Sequence, residues 1–189
     1  TNPYLGMNQA DYATNQNAAY SVFKQSPTDP VQFISLAESH FLQAEALERF
    51  FGGSGAKAQY DAGVTAAFAQ CNLASAAPAF LSAGGRYEYP AVGTFEEKLE
   101  AIITQKWASL PGSHALEAFF EKNRTGYPRT SAVYSSDPAY IPGQLVWPKA
   151  NVTNNVYPKR LMFPDSERST NPKTPALKPL TEKVWWDKK

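Results

Sequence analysis

His40, His114 and Cys71 are the whole histidine and cysteine complement of this chain, and they are the side chains best suited to nucleophilic or metal chemistry. A Cys–His pair could generate a thiolate nucleophile, but no local signature surrounds either partner. Cys71 falls on the apolar face of a helical pattern, where a buried structural thiol is expected. A single cysteine also makes no intrachain disulfide and no paired-cysteine zinc site, and none of these residues asks for a cofactor.

The carboxylates have similarly plain explanations. Glu96, Glu97 and Glu100 open a helix, where the positive end of the dipole favours negative charge. Glu38 and Glu45 lie seven residues apart on one face of an otherwise apolar helix, so a structural ion pair with Arg124 or Lys106 is expected. With no triad spacing and no metal-ligand cluster, the chain reads as a binding protein rather than an enzyme.

Phe50-Phe51-Gly52-Gly53-Ser54-Gly55 invites a phosphate-loop reading. Such a loop needs a strand before its glycines and a Lys-Ser/Thr pair opening the next helix. Here a helical pattern precedes the glycines and Ala56-Lys57-Ala58 follows them. The stretch is therefore read as a tight turn between two helices, with positive φ at Gly52 or Gly53.

The most suggestive residues are aromatic. Tyr127, Tyr134, Tyr140 and Trp147 are set among Ser, Asp, Gly and Pro, with Tyr157 and Phe163 beyond. Rings on proline-stiffened loops can bury the apolar C–H face of a sugar or a peptide side chain at little entropic cost. Trp147, Tyr140, Tyr134 and Tyr157 are the candidate ligand-binding residues. The competing reading is that these rings pin a long loop onto the helices, as Trp185-Trp186 is expected to pin the tail. Asn123-Arg-Thr125 and Asn151-Val-Thr153 match a glycosylation acceptor, which carries meaning only in a eukaryotic secretory context.

These residues must be positioned by helices. Ser35-Leu-Ala-Glu38 and Thr94-Phe-Glu-Glu97 are capping boxes, each opening an apolar pattern of helical period. The first pattern takes in Ala37, Phe41, Ala44, Leu47 and Phe51, widened by Leu42, Ala46 and Phe50, which implies burial on more than one side. A second helix follows through Tyr60, Val64, Ala67, Phe68 and Cys71. A third carries Phe95, Leu99, Ile102, Ile103, Trp107 and Leu110 and stops at Pro111-Gly112. A fourth, capped by Ser113, carries Leu116, Phe119 and Phe120 and ends near Gly126 and Pro128.

A shift of 60 residues sets Leu47 on Trp107 and Tyr60 on Phe120, with one glycine turn over the other, as in a degenerate repeat. Ala44, Leu47, Ala56, Tyr60 and Gly63 also fit the small-large-small-aromatic-small pattern of a tetratricopeptide helix pair. The organisation read from this is an irregular leading segment over 1–34, two helical hairpins over 35–126 with an insertion at 72–93, and a loop-rich segment over 127–189 without a helix.

At 189 residues the chain can bury roughly 70% of its unfolded surface. Its net charge of +1, with no long run of either sign, gives nucleic acid no footprint. No secretory signal pattern and no apolar run long enough to span a bilayer is present.

Five ordered blocks then carry a family resemblance: LAESHFLQAEALERFFGGSGAKAQYDAGVTAAF, EEKLEAIITQKWASL, LEAFFEKNRTGYPR, RLMFPDSERSTNP and KVWWDKK. In this order they resemble the C-terminal part of the SusD/RagB family of nutrient-binding outer-membrane lipoproteins. The resemblance implies a mainly α fold of tetratricopeptide-like hairpins with long irregular Pro-rich loops. It also implies an oligosaccharide or peptide ligand and attachment to the extracellular face of the outer membrane of Bacteroidetes through an N-terminal lipid. It further implies a SusC-like TonB-dependent transporter, capped as by a lid. Relatives carry a lipidated cysteine and a large N-terminal portion, and Cys71 cannot be that cysteine, so the chain is expected to be a C-terminal fragment that works with the missing N-terminal part of the same protein.

Overall fold

Ser35 and Thr94 each adopt extended backbone and place a side-chain oxygen on the amide three residues ahead, Glu38 and Glu97. This satisfies one of the amide groups that a helix start leaves without an intrahelical partner. From these caps run α1, Leu36–Phe50, and α4, Phe95–Ser109. The computed structural model describes residues 9, 21, 26–112 and 114–187. It divides into one unit spanning Ser21–Arg129 and another comprising Thr1–Tyr20 and Thr130–Lys189.

In the first unit, α1 packs mainly on α2, Ala56–Gln70, and then on α4. Gly52, Gly53 and Gly55 all have positive φ and make the turn between α1 and α2. FFGGSG is thus the bend of a helical hairpin, as its flanking patterns predict. The small residues at the crossing explain the close approach: Ala44 and Ala56 are fully buried, and a Cβ on Gly63 would lie 2.8 Å from the Phe41 ring. Around them Phe41, Tyr60, Val64, Leu99, Ile102 and Ile103 form the core, each worth about 1.5–3 kcal/mol of burial. The fold is mainly α and tetratricopeptide-like, and no strand occurs among the described residues.

Several expectations are corrected here. The wide stripe of α1 is not buried on more than one side, for Phe50 and Phe51 are 76% and 68% exposed and Leu42 is exposed as well. Cys71 is exposed and is the C-cap of α2, because the helix ends one residue before the apolar face would have taken it in. The Ser35–Glu38 box is half formed: Ser35 accepts the Glu38 amide, but the Glu38 carboxylate turns to His114 instead of back to the cap. Only Thr94–Glu97 closes reciprocally, and these bonds to Thr94 hold the Glu97 carboxyl below its usual range.

The 72–93 stretch is an ordered cover with a 3₁₀ turn, Ala74–Ala76, and a short helix α3, Ala77–Phe80. Phe80 stacks on Tyr87 at 4.2 Å and meets Phe68 at 5.1 Å. The Tyr60 hydroxyl donates to the Tyr87 carbonyl at 2.8 Å, and the Tyr89 hydroxyl donates to Glu48. Burial, and then the Glu48 carboxylate, push the Tyr89 hydroxyl well above the usual tyrosine range.

Gly53 touches this same arrangement, since a Cβ there would lie 2.7 Å from the Glu48 carboxylate that Tyr89 and Lys98 hold. With φ at +77° as well, Gly53→Ala is expected to destabilise by about 1–2 kcal/mol. Gly52→Ala, with open space around its Cβ, should cost only the φ strain; chemical denaturation of the two variants checks the difference.

The fourth helix is α5, Ala115–Thr125, with His114 at the cap position; Ser113, the expected cap, lies outside the described residues. Leu116 is exposed and Phe119 and Phe120 are half-buried, while the buried side is mostly polar: Glu121, Lys122, Asn123 and Thr125. Gly126 closes the helix in the left-handed conformation.

In the second unit, irregular chain is held by individual backbone bonds. Ser131 N–H donates to the Leu145 carbonyl at 2.7 Å, beside a single Thr130–Leu145 bridge, and Lys159 N–H donates to Leu180 at 2.7 Å. One helix, α6, Asp165–Thr170, corrects the expectation of none: Pro164 sets its start and Asp165 and Glu167 fall in its first turn, where the dipole favours them. Of the expected Trp185-Trp186 pair, Trp185 is 85% exposed and Trp186 is half-buried. Next to them buried Asp187 pairs with Lys159 at 2.8 Å and helps hold the tail.

Candidate functional site

The aromatic candidates all fall in the second unit, and turns position them. Asn154 and Asn155 both take positive φ, a conformation that Asn tolerates better than most residues. Asn151 braces this turn, its amide donating to the Asn155 side chain at 2.8 Å and its carbonyl oxygen accepting the Asn155 N–H at 3.0 Å. The chain thereby folds back and brings Tyr157 to Trp147, with ring centroids 6.4 Å apart and planes tilted by 55°. Both rings are half-buried, and burial pushes the Tyr157 hydroxyl above its usual range.

Tyr134 is exposed, and the Lys149 ammonium sits over its ring at 5.4 Å from the centroid. Cation–π contact of this kind orders the lysine two residues beyond Trp147. Tyr140 differs from the other three: its hydroxyl donates to the Gln144 carbonyl at 2.7 Å and accepts from Gln9 at 3.2 Å. The first bond closes the Ile141–Gln144 turn, and Gln9, which also bonds the Gln144 carbonyl and the Val146 N–H, ties that turn to the leading segment. So Trp147 and Tyr157 come together, Lys149 joins Tyr134, and Tyr140 serves its own loop.

Tyr127 belongs to the helical unit. It is 6% exposed, its hydroxyl donates to Glu96 at 2.8 Å, and Arg129 lies 5.7 Å from its ring centroid while pairing with Glu100 at 2.8 Å. Glu96 and Glu100 therefore fasten the chain after α5, in addition to meeting a helix start. The Asn123 acceptor motif is closed to modification here, because that side chain is fully buried.

The principal charged cluster is structural. Arg124 reaches Glu45 with two bonds of 2.7 Å and Glu121 with bonds of 2.9 and 2.8 Å. Arg49 adds a bond to Glu45 at 2.7 Å, and Lys106 lies 3.5 Å from Glu121. Burial raises the Glu45 carboxyl, but Arg124 and then Arg49 outweigh it and hold it below the usual carboxylate range. The expected pairing of Glu45 with Arg124 is present; Glu38 finds His114 instead. Every member has a partner, and this is how a buried face tolerates charge. Among the described residues no group of three or more His, Cys, Asp and Glu is arranged to hold a metal ion, and no helix is long and apolar enough to cross a membrane.

Comparison with known proteins defines the class. Residues 2–164 match the SusD-like family described as starch-binding and associating with the outer membrane, and the chain belongs to this family. A SusD homologue from Parabacteroides distasonis superposes with a TM-score of 0.61 at 24% identity, covering 92% of this chain and 35% of that one. A proposed outer-membrane protein from Bacteroides vulgatus, with a proposed role in nutrient binding, superposes with a TM-score of 0.55 at 21% identity, covering 84% of this chain and 35% of that one. A SusD homologue from Bacteroides fragilis gives 0.50 at 27% identity, covering 76% and 30%. The chain thus spans about a third of the length of the solved structures it matches. No curated protein matches.

Proposed function

We propose that this chain contributes to the binding of extracellular oligosaccharide in an outer-membrane nutrient-uptake system, without catalysing a reaction. In this reading it works at the outer face of the outer membrane, held there by a lipid anchor, as part of a lid over a SusC-like TonB-dependent transporter. The family's description as starch-binding and associating with the outer membrane supports the class of ligand and the location. The observation that carries the reading is the tilted Trp147–Tyr157 pair, with Tyr134 under Lys149 near it in sequence. A sugar presents an apolar C–H face with hydroxyls at its edge, which matches rings flanked by polar loop groups.

Trp147→Ala is expected to weaken binding of starch-derived oligosaccharides about tenfold or more, and Tyr157→Ala to weaken it comparably. Tyr140→Ala should act less, because its hydroxyl is committed to Gln144. Titration calorimetry checks this; unchanged affinity in both Trp147→Ala and Tyr157→Ala would remove the pair from the site.

A second reading draws on a different observation. Leu161, Met162 and Phe163 are consecutive and 60%, 54% and 49% exposed, and Trp185 is exposed also. Apolar surface of this kind suits protein contact, so this unit could touch the transporter while the ligand, glycan or peptide, is held elsewhere. Retained glycan affinity in Trp147→Ala would favour it.

A further inference from the structure

The His114 ring stands between two acceptors. Its Nδ1 lies 3.0 Å from the Glu38 carboxylate and its Nε2 lies 2.5 Å from the Gln32 carbonyl. A neutral imidazole carries one N–H and can serve one of them, leaving a ring lone pair against the other oxygen. Both bonds form together only when the His114–Glu38 pair holds one proton more than a neutral ring and a carboxylate.

Three segments meet there: the stretch before α1, the first turn of α1, and the cap of α5. Apolar burial does little to hold the first of them, since Val31, Phe33 and Ile34 are 85%, 94% and 55% exposed. Beyond the Ser35 cap, its further side-chain tie among the described residues is neutral and long, from Gln70 to the Gln32 side chain at 3.5 Å. Glu38 has given up its own cap for this contact, and its carboxylate, 9% exposed, faces His114.

We propose that His114 is a proton-operated clasp, fastening the Gln32–Ser35 stretch to the helical unit when the His114–Glu38 pair carries the extra proton and loosening it when that proton leaves. The charged group facing the ring from α1 is Glu38. On α5 the nearest titratable side chain in sequence is the exposed Glu117, whose N–H donates to the His114 carbonyl at 3.0 Å. Gln32 and Gln70 do not titrate. The stretch is therefore held at low pH and released as pH rises.

The test uses the 189-residue chain, which holds only one other histidine, His40. Hydrogen exchange of the Glu38 and Ser39 amides, which bond Ser35 at the end of this stretch, corrected for intrinsic rates, should lose about tenfold in protection between mildly acidic and mildly alkaline pH, the order expected for one charge-assisted hydrogen bond. In His114→Gln the protection should be flat with pH, while amides of α2 and α4 stay protected throughout. Flat protection in the natural chain, or an equal fall in His114→Gln, overturns the proposal. Nitrogen NMR of the His114 ring, read together with carbon NMR of the Glu38 carboxyl, decides independently of any variant: loss of one proton from the pair on release is expected, and no change in either group across that pH range excludes the clasp.

Discussion

Phe41→Ala is expected to destabilise the helical unit by about 3–5 kcal/mol. Phe41 is 1% exposed, meets Tyr60 edge-on at 6.1 Å, and lies against Gly63 of α2. It also walls a solvent-open pocket of about 240 Å³ lined by Val64, Phe68, Phe80 and Gln105. Truncation widens that pocket, and the lost burial of the ring carries most of the cost.

Gly63 supplies the internal control. In the natural chain Gly63→Ala would push a Cβ to 2.8 Å from the Phe41 ring and should destabilise by about 1–2 kcal/mol. In the Phe41→Ala background the same change should stabilise by about 0.5–1 kcal/mol, because alanine is the better helix former and the ring is gone. Urea denaturation of the four proteins measures the coupling. Equal effects of Gly63→Ala in both backgrounds would refute the account of that glycine.

Arg124→Ala is expected to cost about 2–3 kcal/mol. Removing one partner of a buried ion pair can cost about 3–5 kcal/mol, and this estimate is reduced because the Arg124 side chain is 38% exposed and solvent reaches it. The loss is substantial because Glu45 and Glu121, 7% and 9% exposed, would both lose the guanidinium that bridges them and keep only Arg49 and Lys106 respectively. Arg124→Lys should recover little, since an ammonium cannot reproduce a fork that bonds two carboxylates.

The sign with pH follows from Glu45. Its carboxyl is held below the ordinary value of 4.5 in the fold, so its contribution is complete above that pH and is lost as pH falls further through the folded value. The thermal midpoint should therefore drop more steeply on acidification in the natural chain than in Arg124→Ala. Parallel curves would show that Arg124 does not set the Glu45 titration.

Much of this architecture was legible in the residues because the rules that write it are local. A Ser or Thr cap, a 3.6-residue period and a glycine turn each act across a few positions, and they placed α1, α2, α4 and the bend at Gly52-Gly53. The small residues Ala44, Ala56 and Gly63 also declared the helix crossing, since their pattern is relative and needs no coordinates. The errors came where a side chain chose a distant partner. Glu38 looked like half of a capping box, yet the fold offered it His114, 76 residues on. α5 leaves Leu116 exposed and Phe119 and Phe120 half-buried while it buries Glu121, Lys122, Asn123 and Thr125, and Glu45, 79 residues away, takes Arg124. Cys71, Phe50 and Phe51 continued an apolar period past the point where the helix had anything to pack against.

The candidate site shows the same division. Composition alone marked a stretch of rings among prolines and polar turn residues, and the family blocks marked the class of protein. Which rings meet was decided by the fold: two asparagines at positive φ turned Tyr157 onto Trp147, while Tyr140 closed its own turn and Tyr127 went into the helical unit. The sequence by itself determined α1, α2, α4 and α5, the turn at Gly52-Gly53 and the family. The tertiary structure decided which of the offered charges pair, Glu45 with Arg124 and Glu38 with His114, and which aromatics face one another, since those energies depend on distances between residues that chain spacing does not constrain.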